Sequence, residues 1–207
     1  MTTRLLYKYR GLEPWPYLLD ILINQRLHAA KFHQLNDPME GIFYYGPDEL
    51  TRTYIDSIVE RKGALGICAL SKVYNSTLMW SYYASAHQGI VLGVEIDPIN
   101  TPGVYSIDDV KYVARSKCTA RNGADPHIEA KRILSRKLTS WKHEEEVRVF
   151  AHSTYISITI RELYLGCKMD NSTRQMFRRL IQNILPDVDV HQMDINQLDR
   201  PIRRYDT

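Results

Sequence analysis

The chain has 207 residues, with 27 Lys and Arg against 24 Asp and Glu, enough for one domain with a sizeable core and an ordinary globular charge content. A net charge of +3 does not by itself demand a nucleic-acid partner. The three cysteines, Cys68, Cys118 and Cys167, stand far apart without a C-x-x-C pair, a pattern that gives neither a disulfide framework nor a zinc site.

In chain order, Met1-Thr2-Thr3-Arg4 carries no apolar signal region and runs into Leu5–Tyr9, which alternates like a short strand. Pro16 suits the first turn of a helix through Tyr17 to Leu22. Asn36-Asp37-Pro38 reads as a turn, and Asp48–Arg61 as a helix with Leu50, Tyr54, Ile55 and Ile58 on one face. Ala64–Leu70 is an apolar strand, Leu78–His87 a helix, Ile90–Ile96 a second strand and Val110–Val113 a shorter one. Ile128–Leu138 has helical periodicity. Val147–Ala151, Ile156–Ile160 and Leu163–Leu165 read as strands. Ser172 is placed to cap a helix over Arg174–Ile184, which ends near Pro186, and Asp187–Met193 reads as a last strand.

Strands and helices do not alternate regularly, and neither glycine-rich phosphate loop motif is present. These features predict one α+β domain over 1–207 with mainly antiparallel strands, not a doubly wound sheet. The main strands are expected at roughly 4–9, 64–70, 90–96, 147–151 and 162–166. No apolar stretch reaches the roughly 18–20 residues of a membrane span, so the expectation is a cytoplasmic protein with no membrane partner. Arg174, Arg178, Arg179, Arg200, Arg203 and Arg204 gather late in the chain, as a solvated helix face and tail or as a nucleic-acid surface.

Four constellations carry candidate chemistry. In Leu6-Tyr7-Lys8-Tyr9-Arg10, alternation puts Lys8 and Arg10 on one face, where two cations suit a phosphate or, more plainly, solvent. Leu35-Asn36-Asp37-Pro38-Met39-Glu40 needs no function as a turn. Near Ser71, Trp80, Tyr83 and His87 share a helix face that stacks on a flat ring or packs as core. Trp141-Lys142-His143-Glu144-Glu145-Glu146-Val147-Arg148 places three carboxylates at the mouth of an apolar strand. Glu144 and Glu146 are expected to face one way and Glu145 the other. Such carboxylates bond a sugar hydroxyl, take a proton from a nucleophile, or sit in a solvated loop.

Together, L-Y-K-Y-R, N-D-P-x-E, L-M-W-S-x-Y-A-x-x-H-x-G and W-x-x-E-x-E-x-R resemble the pattern of a bacterial domain family of unknown function. They span most of the chain, at Leu6–Arg10, Asn36–Glu40, Leu78–Gly89 and Trp141–Arg148. That family resembles the ADP-ribosyltransferase-like superfamily, near the toxins that modify DNA with NAD. The resemblance implies a split antiparallel β-sandwich with flanking helices around an NAD cleft. It implies an NAD-dependent ADP-ribosyltransferase, of the toxin or anti-phage effector kind, with a nucleic-acid or protein acceptor and an antitoxin or other regulatory partner. NAD glycohydrolase or cyclic phosphodiesterase-like chemistry, or a non-catalytic NAD-binding interaction module, are the alternatives on the same cleft. Within the resemblance Glu146 is the catalytic carboxylate, and Glu144 orients or deprotonates the acceptor. Lys8, Tyr9, Arg10, Asn36, Ser71, Trp80, Tyr83 and His87 contact NAD, with Trp80 or Tyr83 stacked on nicotinamide, and no metal is required. Lys8 stands where relatives carry His, which leaves the first-strand role to Lys8 or Arg10.

Overall fold

The computed structural model describes residues 4–46, 50–96, 101–114 and 119–200. Asp48, Cys118, Arg203 and Arg204 lie outside the described residues, as do Met1, Thr2 and Thr3. The expected α+β class is what the chain adopts: a large, mostly antiparallel sheet with flanking helices.

Among the described residues, seven strands form the main sheet. They are β1 (Leu5–Arg10), β3 (Gly66–Ser71), β4 (Ile90–Glu95), β5 (Val104–Asp109), β8 (Glu146–Ala151), β10 (Thr159–Leu165) and β11 (Asp189–Gln192). Their spatial order is β11-β10-β4-β1-β3-β8-β5, and only β10 and β11 run parallel. Two small ribbons flank the sheet: β2 (Arg26–His28) with β9 (Tyr155–Ser157), antiparallel, and β6 (Lys111–Val113) with β7 (Arg136–Leu138), parallel.

One face of the sheet is sealed by α1 (Trp15–Asn24) and α5 (Asn171–Ile184). Leu18, Ile21 and Leu22 of α1 and Phe177 and Ile181 of α5 join Leu6, Leu92, Val147 and Val149 in the largest apolar cluster. Trp15 stacks on Phe177 with ring centres 5.4 Å apart. Pro16 sits in the first turn of α1, where its missing N–H costs nothing. The cap of α5 is Asp170, which accepts from the Thr173 N–H, and not Ser172; the helix therefore begins one residue before the expected cap. On the other face, α3 (Thr77–Tyr83), capped by Ser76, buries Met79 and Trp80 against Tyr7, Tyr9 and Val91.

Other expected elements have different bounds. The helix read over Ile128–Leu138 is α4, Pro126–Leu134, started by Asp125 at its cap. Arg136–Leu138 turns away to pair with β6. α2 (Arg52–Ala64) packs on α4. The strand read over Ile156–Ile160 breaks at Ile158, whose N–H bonds the Gln25 carbonyl and separates β9 from β10. β5 was not legible: Val104-Tyr105-Ser106-Ile107-Asp108-Asp109 is a half-exposed edge strand with weak alternation.

The sheet divides at one seam. β1 pairs with β4 from Leu5↔Glu95 to Arg10↔Ile90, and β3 pairs with β8 from Gly66↔Ala151 to Ser71↔Glu146. Between β1 and β3 the register holds only at Tyr7↔Ser71. Beyond that pair the strands diverge.

Candidate active site at the split in the sheet

A cavity of about 630 Å³ opens where β1 and β3 part, within the size range of small-molecule sites, about 300–1,000 Å³. Its lining draws Lys8 and Arg10 from β1, Glu146 from β8, Tyr83 from α3 and Asn36 from the turn after β2.

The two cations differ in how they are held. The Lys8 ammonium donates to the Ala69 carbonyl at 2.8 Å, across the seam. The Arg10 guanidinium has no carboxylate partner among the described residues, and its Nε is buried without a hydrogen bond. Burial pulls its pKa below the ordinary arginine value. An enclosed, unpaired guanidinium favours an anion in the cleft.

The carboxylates form a buried network opposite. The 3-10 turn Thr139–Glu144 ends at Glu144, and Glu145 takes a left-handed conformation at φ 41° that turns its side chain to solvent. β8 then starts at Glu146. Glu144 and Glu146 thus face the cleft and Glu145 does not, through this kink and not through strand alternation. Glu146 accepts from Arg148 Nε at 2.7 Å and from Lys137 Nζ at 2.9 Å. Lys137 also bonds Glu144, and it lies 3.5 Å from Glu40. Arg148 and Glu40 form a close ion pair whose atoms are not aligned as a hydrogen bond. Three carboxylates stand against two cations, so the network is balanced when one carboxyl holds a proton.

This network separates the two acids. Burial raises the pKa of Glu146, but Arg148 and then Lys137 outweigh it and hold the carboxyl at about 2. For Glu144 burial wins, and its pKa lies above the usual carboxylate value despite Lys137 and the Tyr83 hydroxyl, which donates to it at 2.7 Å. Burial, and then Glu144, push Tyr83 up to about 12. The Glu146 N–H donates to the Tyr112 hydroxyl at 2.7 Å, which pins the start of β8.

The remaining expected contacts divide. Asn36 lines the cleft beside the Tyr83 hydroxyl. Ser71 and Tyr9 line it too, but their hydroxyls are committed. Ser71 donates to the Glu144 carbonyl at 2.7 Å, and Tyr9 donates to the Val73 carbonyl at 3.0 Å. Trp80 and His87 are not in the lining. Trp80 is fully buried against Tyr9, and its Nε1 donates to the Tyr74 carbonyl, so its ring is core. His87 lies beyond the end of α3. Tyr83 is therefore the ring of this helix left facing the cleft. Lys137 was missed because it falls in a charged run read as helix. Glu40 and Arg148 each appear in a motif, and the fold brings those motifs together.

No family model, characterised protein or solved structure matches the chain. Among the described residues no helix is long and apolar enough to cross a membrane, and no group of three or more His, Cys, Asp or Glu side chains is placed to hold a metal ion.

Proposed function

We propose that this chain is an ADP-ribosyltransferase that consumes NAD and modifies a nucleic acid or a protein. One arrangement carries the reading: Arg10, without a partner among the described residues, shares the cleft with two carboxylates whose acidities are pushed apart. Two acids separated in this way divide the roles of fixed charge and proton acceptor. Glu146, ionised at any physiological pH, bonds the ribose 2′-OH and stabilises the cationic ribose as the nicotinamide bond breaks. Glu144 takes the proton of the attacking acceptor. Arg10 and Lys8 hold the pyrophosphate, and Tyr83 offers its ring to nicotinamide. The divided sheet is consistent with the split sandwich of the ADP-ribosyltransferase-like superfamily. The reading extends to a cytoplasmic toxin or anti-phage effector held by an antitoxin or similar partner.

The test is incubation with labelled NAD and separate pools of RNA, DNA and protein. Label in one pool supports transfer and names the acceptor class. Free nicotinamide without label transfer assigns an NAD glycohydrolase, and bound but intact NAD assigns a binding module. A protein that neither binds nor cleaves NAD overturns the proposal.

A further inference from the structure

A second cluster of reactive side chains lies outside the cleft. Neither Cys167 nor His87 lines the cavity. The Cys167 Sγ lies 3.8 Å from His87 Nδ1, and the Ser81 Oγ lies 3.0 Å from His87 Nε2. Ser81 has one hydroxyl proton, and it is donated to the Thr77 carbonyl at 2.9 Å. The Ser81 oxygen can then only accept from the imidazole, so the ring proton sits on Nε2. Nδ1 carries the lone pair and accepts the Cys167 S–H. This is the order nucleophile, base, orienting group.

The order is held rigidly. The Gly166 N–H bonds the Gly89 carbonyl and the Lys168 N–H bonds the His87 carbonyl, both at 3.0 Å. A Cβ on Gly166 would lie 2.1 Å from that His87 oxygen, so only glycine allows this approach. Ser85, Ala86 and His87 all adopt positive φ, at 48°, 51° and 70°, to bring the imidazole back onto Trp80. Burial, and then the Lys168 charge, keep the His87 pKa below its ordinary value, which leaves the ring neutral near pH 7 with its Nδ1 lone pair unprotonated. Cys167 is half-buried, whereas Cys68 is sealed in the core.

We propose that Cys167 is a peroxide-reactive thiol with His87 as its built-in base, a site independent of the NAD reading. The sulfur attacks one oxygen of a hydroperoxide and the O–O bond breaks. The thiol proton passes through His87 Nδ1 to the departing oxygen. The products are a sulfenic acid on Cys167 and water or an alcohol.

The experiment treats the reduced full chain with hydrogen peroxide at pH 7 and traps sulfenic acid with dimedone. Peptide mapping then reads Cys68, Cys118 and Cys167 separately. Cys167 is expected to react about tenfold or more faster than glutathione, with Cys68 silent. His87→Gln should bring Cys167 down to the glutathione rate, a loss on the order of tenfold or more. Ser81→Ala, which frees the tautomer but leaves the imidazole, should cause a smaller loss. A Cys167 no faster than glutathione overturns the proposal, as does a folded His87→Gln protein that reacts at the wild-type rate. If His87→Gln does not fold, the wild-type comparison and Ser81→Ala decide.

Discussion

Two residues apart, this chain carries a carboxylate held in its charged form by Arg148 and Lys137 and another whose pKa burial raises. Glu146→Gln keeps the shape and removes the charge, so its cost should fall on the transition state, with NAD turnover down about 10²–10³-fold and NAD affinity little changed. Glu145→Gln, on a side chain turned to solvent, should leave both unchanged. Nicotinamide release and NAD titration read the two variants; equal losses, or a larger one at Glu145, would move the catalytic carboxylate elsewhere. Lys137→Met removes the cation that bridges Glu144, Glu146 and Glu40. The expected destabilisation is about 3–5 kcal/mol, since buried carboxylates lose their partner. It should be larger at pH 8 than at pH 5 in urea denaturation, because Glu144, with its raised pKa, sheds its unpaired charge as the pH falls. The Glu144-x-Glu146 pair was legible because both residues belong to one short motif. Lys137 was not, because nothing local separates a cation aimed inward from one on a solvated helix face. Trp80 failed for a related reason: helical spacing gives a shared face but not which of its rings is sealed in the core and which reaches the cleft.

Elements were legible where apolar patterning dominates, as in β1, β3, β4 and β8, all close to their expected bounds. They were not where polar pairing decides, and α4 is the clearest case. Its periodicity runs on to Leu138, but the Lys111 N–H takes the Ser135 carbonyl and β7 pairs with β6. The buried Glu129 of α4 ties the helix to the preceding segment, accepting from the Arg121 N–H at 2.9 Å, Arg121 Nε at 3.0 Å and Arg132 Nε at 2.9 Å. Burial raises its pKa, but the bonds from Arg132 and Arg121 prevail and bring it from 4.5 to about 2. A folded-state pKa below the unfolded one means the stabilisation is complete above about pH 4.5 and is lost as the pH falls through about 2. Glu129→Gln should therefore cost about 2–3 kcal/mol at pH 7. Wild type and variant should converge as the pH approaches 2. Urea midpoints at pH 7 and pH 3 check this; an unchanged gap between the two proteins would show that Glu129 acts by packing and not by charge.

At the scale of the molecule, the seam between β1 and β3 joins two half-sheets through Tyr7↔Ser71 and the Lys8–Ala69 bond. The half containing β1 carries Arg10, unpaired among the described residues, and the half containing β8 carries Glu146. A ligand with an anion for one and a hydroxyl for the other spans the gap and adds a connection that the bare sheet lacks. NAD has both groups, so it should stabilise the whole fold and not only the loops around it. At one hundred times its Kd a ligand that binds only the native state contributes about 2.7 kcal/mol. For a domain of this size that raises Tm by roughly 5–11 °C, from about 2–4 °C per kcal/mol. Hydrogen exchange should locate the effect, with protection gained in β1 and β3 on both sides of the seam. Arg10→Met should remove most of the Tm shift, because it deletes the unpaired cation while leaving the Tyr7↔Ser71 pairing intact. The outcome that defeats this picture is an unchanged Tm at saturating NAD. Protection confined to the neighbouring cavity lined by Phe32, Phe43 and Lys62 would place the ligand outside the seam.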